Sequence, residues 1–304
     1  MSEGLSRSIL ARLAKHARAI GVDPNLVLTR YAVERFLYRL SRSQHADRFV
    51  LKGALLLLVW LGEDIRPTRD ADLLGFGDFS DDALLTVFRD VSHIEVEPDA
   101  MEYLAEAARI ELIRPEDAYG GRRVTLDARM GDARLRVQVD IGIGDVVTPE
   151  PTWIDYPSLL DMPKPRLRAY TAESVIAEKV HAMVVLGLRN SRLRDFFDID
   201  ALAQRTAFDG AALTAAILAT FEQRRTPIPS ALPAALMSAF YDDADKRAQW
   251  RAFQRKIGSG RAGKPLPEII SRISEFVGPP LAACARGEAF TLSWPSGGPW
   301  STGV

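Results

Sequence analysis

Two acidic residues, Asp70 and Asp72, follow a glycine-centred turn at Gly53 and an apolar run. Because successive residues of a strand alternate between its two faces, carboxylates spaced by two point to the same side. Two neighbouring carboxylates repel each other unless a cation lies between them. Mg²⁺ binds one or two carboxylates together with substrate phosphates. The pattern therefore predicts chemistry on a nucleoside triphosphate, with a metal ion holding the phosphates.

The elements that must position these carboxylates follow from local patterns. The spacing of apolar residues and turn residues predicts helices over 9–20, 24–40, 54–61 and 81–91 and strands over 48–51, 70–76, 122–130 and 133–143. In the last strand Asp140 lies on the polar face, between the apolar Val139 and Ile141. A solvated turn is the alternative for an isolated Asp-x-Asp pair. The preceding Gly53 turn and the later strand aspartate favour a functional site.

A segment with five prolines, residues 148–165, marks a change in composition and predicts a domain boundary. The rest of the chain has mostly helical periodicity, which predicts helices over 171–188, 192–203, 210–223, 230–241, 245–257 and 267–276. We therefore predict an α/β domain with N-terminal helices over residues 1–150, a helical domain over 166–285 and a flexible tail over 286–304.

Composition excludes several classes of protein. The single cysteine, Cys284, excludes an internal disulfide and a cysteine-based metal cage. The longest apolar run, residues 54–61, is too short to span a bilayer. The four histidines have no metal-ligand spacing. These features fit a cytoplasmic protein, with no membrane partner.

The chain resembles the AbiEii/AbiGii-type nucleotidyltransferase toxins, whose fold is that of DNA polymerase beta, over residues 6–277. The matching segments include RFVLKGALLL, RPTRDADLLGFGD, VQVDIGIGDVVTP and AESVIAEKVHAMVVLGLRNSRLRDFFDI. The resemblance implies a nucleotidyltransferase domain with a mixed sheet, followed by an α-helical domain, with the active site between them. One departure is Ala54, where the fold usually has serine or glycine after the first glycine. A serine contact to phosphate is then missing, and backbone N–H groups would replace it.

The resemblance also implies the roles of individual residues. The catalytic residues are Asp70, Asp72, Asp140, Lys179 and Asp198. Of these, Asp70, Asp72 and Asp140 are the Mg²⁺ ligands, and Asp140 is also the general base. The nucleotide-binding residues are Lys52, Gly53, Ala54, Arg69, Lys179 and Asp195. An ion pair on a helix surface is the alternative for Lys179 and its aspartates.

The predicted reaction moves a nucleoside monophosphate from an NTP to a hydroxyl, by resemblance the 3′ end of a tRNA, as the toxin of a toxin–antitoxin system. A cognate antitoxin encoded nearby is then expected. Residues 1–159 carry a net charge of −6 and residues 160–304 one of +5, which fits an RNA acceptor on the basic half or chance variation. Basic residues are concentrated near the end of the chain, at Arg247, Arg251, Arg255, Lys256, Arg261 and Lys264. Nucleotide transfer to a protein hydroxyl and a degenerate nucleotide-binding module are the alternatives.

Overall fold

The computed structural model describes residues 3–63, 66–113, 121–257 and 264–302. The chain divides into two compact units, the first made of residues 1–59, 67–144 and 152–169 and the second of residues 60–66, 145–151 and 170–304. None of the described helices has both the length and the apolar composition needed to cross a membrane.

The first unit contains a mixed sheet and its covering helices. Its elements are α1 (Glu3–Ala19), α2 (Pro24–Arg42), β1 (Phe49–Lys52), α3 (Leu55–Leu61, which crosses the division), β2 (Ala71–Gly75), α4 (Asp81–Ser92), β3 (Glu102–Tyr103), β4 (Arg109–Ile113), β5 (Gly121–Met130), β6 (Ala133–Ile143), β7 (Thr152–Asp155) and β8 (Arg166–Ala169).

The sheet has the order β3-β5-β6-β2-β1-β8-β7, and β4 also pairs with β5. Strands β2 and β6 run parallel, as do β1 and β8, while β1 with β2 and β5 with β6 are antiparallel. The long β5–β6 hairpin turns at Gly131, whose φ of +57° lies in the region that glycine adopts at little cost. Apolar side chains of alternate strand residues, such as Val124, Val139 and Ile141, are fully buried, and the intervening polar residues therefore share the opposite face.

The second unit is mainly helical. Its elements are α5 (Ala172–Leu186), α6 (Leu193–Arg205), β9 (Phe208–Asp209), α7 (Gly210–Gln223), α8 (Ser238–Tyr241), α9 (Ala244–Ile257), α10 (Leu266–Arg286) and β10 (Ser293–Trp294). Helix α5 packs on α7, and α10 packs on α6 and α7. The Thr171 hydroxyl caps α5 by accepting a hydrogen bond from the Ser174 N–H.

The C-terminal segment differs from the predicted flexible tail. Strand β10 pairs with β9, and the Trp294 indole is buried and donates a hydrogen bond of 2.7 Å to the Ala203 carbonyl. Trp300 stacks on Phe276 with an interplanar angle of 6°. Glycine and proline content indicated a loose tail, but the two tryptophans bury aromatic surface that fixes it to the helices.

Three other predictions of the sequence are also corrected. The segment after residue 150 supplies β7 and β8 to the first unit, so the sheet extends past the predicted domain boundary. Within residues 230–241 the only α-helix is the short α8, after a 3₁₀ turn at Ala234–Leu236. Conversely, α10 continues through Pro279 and Pro280 to Arg286, beyond the predicted end at Phe276. Local proline signals misplace these boundaries because tertiary packing outweighs them.

Candidate functional site

Gly53 follows the last residue of β1 and lies directly against the Asp72 side chain. Its φ is +72°, a conformation that residues with a Cβ adopt only with strain. A Cβ added at this position would lie 2.7 Å from Asp72 Cγ, closer than two unbonded carbons approach. Glycine is therefore favoured at this turn for two independent reasons: the positive φ of its backbone, and the Asp72 side chain that occupies the space of a Cβ.

Four charged residues lie in one row across four neighbouring strands of the sheet. Lys52 of β1 is the register partner of Asp72 of β2, Asp72 is the partner of Asp140 of β6, and Asp140 is the partner of Arg123 of β5. Register partners point to the same face of a sheet. We call these four residues the charged row. Its two carboxylates stand side by side, with a cation at each end.

Arg123 holds Asp140 through two parallel hydrogen bonds. Its Nε donates to Oδ1 at 2.8 Å and its Nη2 donates to Oδ2 at 2.7 Å, the bidentate geometry that makes such pairs specific. The bond to Asp140 raises the pKa of Arg123, partial burial opposes this, and the charges of Asp140 and Asp70 add to the rise. Asp70 thus lies within electrostatic reach of the charged row.

The donor set of the charged row fits a magnesium site in part. Asp72 and Asp140 are adjacent carboxylates on one face, which is the number of carboxylates that Mg²⁺ takes when phosphates complete its shell. In the described part of the chain, however, no three Asp, Glu, His or Cys side chains are grouped closely enough to hold a metal ion. The predicted ligands Asp70, Asp72 and Asp140 therefore do not form a three-carboxylate cluster in this geometry.

The remaining residues predicted to bind nucleotide in the first unit have different surroundings. Lys52 is half-buried in the charged row, Ala54 is buried in the turn before α3, and Arg69 is exposed just before Asp70. The chain geometry therefore brings Lys52 and Gly53 to the Asp72 carboxylate. Arg69 belongs to the segment that leads into β2.

A second group of charges lies inside the helical unit. The Lys179 ammonium on α5 donates hydrogen bonds to Asp195 Oδ1 at 2.6 Å and to Asp198 Oδ2 at 2.8 Å, both on α6. Arg66 donates two further bonds to Asp198, each of 2.7 Å, and Arg192 Nε lies 2.9 Å from Asp195 Oδ2. We call these five residues the buried cluster.

Burial and pairing oppose each other in the buried cluster, and pairing dominates. The Asp198 side chain is 0% exposed and that of Lys179 is 11% exposed. Burial favours the neutral forms, but Asp195 and Asp198 outweigh it and raise the pKa of Lys179. Burial likewise favours neutral Asp198, but Lys179 and Arg66 hold the pKa of this carboxyl below its usual value. Both groups therefore stay charged at neutral pH.

Arg192 pairs with Asp195. Lys179 pairs with both of the predicted aspartates, Asp195 and Asp198. Arg66 and Arg123 were missed. A tight turn at Gly131-Asp132 places Arg123 opposite Asp140, so the hairpin register was the available signal for it. Arg66 has no comparable signal, since it is 132 residues away from Asp198.

A neighbouring set of polar residues surrounds His181 on α5. Arg224 pairs with Asp145 at 2.8 Å and with Glu178 at 3.1 Å, and its Nη1 lies 3.4 Å from His181 Nδ1. The other ring nitrogen lies 2.8 Å from Thr226 Oγ1, whose hydroxyl donates to a backbone carbonyl. The imidazole is thus neutral, with its proton on Nε2. Burial first and Arg224 second lower the pKa of His181 to about 4.

The predicted basic surface around α9 is part core and part exposed. Trp250 is buried, whereas Arg251, Arg255 and Lys256 are exposed. Arg247 pairs with Asp242 and Lys264 pairs with Glu268. Arg261 lies outside the described residues.

One protein family matches this chain. Residues 35–272 match the model of the nucleotidyl transferase AbiEii toxin, type IV toxin–antitoxin system. That range includes every residue of the charged row and of the buried cluster. The chain belongs to the AbiEii family. It is therefore a nucleotidyltransferase of a toxin–antitoxin family, and membership implies an antitoxin as partner. The sequence-based resemblance and fold class are confirmed.

Solved structures similar to this AbiEii-family chain include two proteins from Helicobacter pylori. A candidate nucleotidyltransferase has 14% identity and a TM-score of 0.49, and the alignment covers 88% of this chain and 97% of that chain. JHP933 has 14% identity and a TM-score of 0.48, with coverages of 87% and 94%. No curated protein sequence matches the chain.

Proposed function

We propose that this AbiEii-family chain transfers a nucleoside monophosphate from an NTP to the 3′ hydroxyl of an RNA, with tRNA as the preferred acceptor and Mg²⁺ as cofactor. The observation that carries the proposal is the charged row beside the Gly53 turn. Its adjacent Asp72 and Asp140 carboxylates supply the oxygen ligands that a phosphate-bound Mg²⁺ requires. The Gly53 backbone supplies a close approach to Asp72 that no other residue type permits.

In this proposal Asp72 and Asp140 would hold Mg²⁺, and Asp70 would contact it through water. When bound there, the ion would neutralise charge on the triphosphate and would favour the deprotonated acceptor hydroxyl. Lys52 and Arg123 flank the carboxylates and keep the row electrically balanced. Arg123 also keeps the Asp140 carboxylate in the plane of the bidentate pair.

The reaction forms one P–O bond and breaks another. The acceptor hydroxyl oxygen attacks the α-phosphorus, its proton passes to Asp140, and the bond from the α-phosphorus to the bridging oxygen of the β-phosphate breaks. Pyrophosphate leaves with the electron pair of that bond. Each Asp140 oxygen accepts one hydrogen bond from Arg123 and keeps a second lone pair, which can take the proton.

We further propose that Lys179 binds the triphosphate and that Asp195 and Asp198 hold its ammonium in place. The buried cluster contains three cations and two carboxylates, so it carries a net positive charge that suits an anion. A lysine fixed by two carboxylates is preorganised and needs little rearrangement as charge develops on the leaving pyrophosphate.

The RNA acceptor is supported by the positive net charge of residues 160–304 and by the exposed cations of α9. The activity would operate in the cytoplasm, where NTPs and tRNA are found, and an antitoxin encoded nearby would counter it.

Incubation with each α-labelled NTP, Mg²⁺ and either total tRNA or a protein extract tests this function. The expected product is labelled tRNA, and tRNA oxidised by periodate, which has no free 3′ hydroxyl, should stay unlabelled. Labelled protein without labelled RNA would instead support nucleotide transfer to a protein hydroxyl. NTP binding without any transfer, in every combination, would support the degenerate nucleotide-binding module.

A further inference from the structure

The first unit has an open groove that contains no residue of the charged row. The groove is lined by the end of α2, by β7 and by the segment leading into β8. Its volume is about 450 Å³. The lining side chains that matter here are Tyr38, Arg42, Trp153, Lys164 and Arg166. Two aromatic rings and three cations thus line one concave surface.

The three cations of the groove are exposed, and no carboxylate within the described ranges lies at ion-pair distance from Arg42, Lys164 or Arg166. Some exposed arginines of the same unit are paired, such as Arg89 with Glu106 and Arg136 with Asp127. Unpaired cations that share a concave surface create a positive potential, which attracts a polyanion.

Trp153 provides a flat apolar platform beside these cations. Its side chain is 51% exposed. The structure describes all five tryptophans, and the other four are buried or half-buried. The Arg166 guanidinium lies 5.9 Å from the centre of its ring, within the range of a cation–π contact. An exposed indole needs no explanation when it stands alone, but here it stands in a basic cavity.

The floor of the groove is rigid. Arg35 is fully buried, donates a 2.8 Å hydrogen bond to the Pro163 carbonyl and stacks on the Tyr38 ring at 4.3 Å. The Tyr38 hydroxyl donates a hydrogen bond of 3.1 Å to the Glu97 carboxylate. These contacts fix the end of α2 against the Pro163–Lys164 segment, so that ligand binding requires little ordering of the groove.

We propose that this groove binds a single-stranded segment of the acceptor RNA, with a base stacked on Trp153 and the neighbouring phosphates bound by Arg42, Lys164 and Arg166. Aromatic platforms within a basic groove are the usual means of binding single strands. A small ligand such as a free nucleotide needs a pocket that encloses most of its surface, and here Trp153 and all three cations are exposed. The proposal rests on the proposed function for the identity of the acceptor.

The test uses the full chain, a fluorescent 12-nucleotide single-stranded RNA, total tRNA and NTPs without RNA. The variants are Trp153→Ala and the double variant Lys164→Glu/Arg166→Glu. The matched control is Arg129→Glu/Arg134→Glu, which makes the same charge change at exposed hairpin positions of the same unit. Dissociation constants are measured across a salt series, and transfer kinetics are measured with saturating NTP.

We expect Trp153→Ala to weaken RNA binding about tenfold or more. The double variant, which removes two phosphate contacts, should weaken binding and flatten its salt dependence by about 1.4 units of slope. The KM for RNA should rise in parallel, while kcat, NTP binding and the thermal midpoint stay near those of the wild type. The control variant should change RNA binding by less than about twofold. RNA, and not free NTP, should quench the exposed Trp153.

If the wild type transfers nucleotides to RNA but both groove variants bind RNA with unchanged affinity, the proposed role of the groove is wrong and the proposed function stands. Quenching of Trp153 by free NTP alone would overturn it in favour of a mononucleotide site. Absence of any transfer to RNA would refute the proposed function, whereas the direct binding measurement would still decide whether the groove holds RNA.

Discussion

The charged row and the buried cluster each pair aspartates with basic side chains, but they place these charges in opposite surroundings. In the charged row the Asp140 side chain is 21% exposed and the Arg123 side chain is 37% exposed. In the buried cluster Asp195 and Asp198 are almost completely shielded from water. A charge that keeps contact with water can be lost at little cost to folding, whereas a buried charge leaves its partner unpaired. Substitutions in the charged row should therefore affect chemistry alone, and those in the buried cluster should affect folding as well.

The largest effect on stability is expected from Asp198→Ala. Removal of this carboxylate leaves Arg66 without its bidentate partner and leaves Lys179 with Asp195 only. The free energy of unfolding should fall by about 3–5 kcal/mol, measured by denaturant titration. Asp209→Ala, which removes an exposed cap of α7, should cost only about 1 kcal/mol. Equal losses in the two variants would show that the buried cluster contributes no more than a surface contact.

The next effect concerns Lys179→Ala and separates folding from catalysis at one residue. If Lys179 contacts the triphosphate, transfer per folded molecule should fall by two to three decades, equivalent to about 2–4 kcal/mol of transition-state stabilisation. The folded fraction is measured by circular dichroism at the assay temperature, and single-turnover rates are divided by it. Reduced stability with normal activity per folded molecule would make Lys179 a structural residue only.

Gly53→Ala tests the contact between the turn and Asp72, and Gly62→Ala is its matched control. Both glycines have nearly the same positive φ, +72° and +73°, but a Cβ at position 62 meets no atom of the described residues within 4 Å. Each substitution should cost about 1 kcal/mol of stability from backbone strain. Only Gly53→Ala should displace the Asp72 carboxylate and reduce transfer by about a hundredfold. A similar loss of activity in both variants would assign the effect to strain.

The smallest effect is the pH dependence from His181. Its pKa is lowered to about 4 in the folded protein, so the unfolded chain binds the proton more tightly. The stability from neutral His181 is thus complete above the unfolded pKa of about 6.5 and is lost as the pH falls towards 4. Between pH 8 and 5 this amounts to about 2 kcal/mol. His181→Gln should remove this part of the pH dependence, measured by denaturant unfolding, whereas the exposed His93→Gln should retain it.

Strong local patterns made much of the fold predictable. Helices α2, α4, α6 and α7 and strands β1, β2, β5 and β6 agree with the sequence prediction to within a few residues. Their apolar spacing, caps and turns all favour the same structure. Strands β3, β4, β7 and β8 were missed because they are short and gain stability from pairing with other strands, which for β8 include β1, far away in the sequence.

The candidate site was predictable as a set of residues but not as a set of contacts. Spacing identified the Asp70–Asp72 pair, and the polar face of a strand identified Asp140. Sequence alone did not show that Lys52 and Arg123 flank the row with two cations. Arg123 already compensates the charge of Asp140, so repulsion between neighbouring carboxylates does not by itself require a metal at this site. Metal binding therefore has to be tested at Asp72, the centre of the row.

Asp72→Asn is the most direct test of the claim that the charged row is the chemical site. The substitution preserves side-chain volume and removes one metal-binding charge. Transfer measured as kcat/KM should fall on the order of a thousandfold, and the free energy of unfolding should change by no more than about 0.5 kcal/mol. Asp132→Asn in the exposed hairpin turn should change neither quantity. Near wild-type transfer by a folded Asp72→Asn protein would contradict the assignment of the charged row to catalysis.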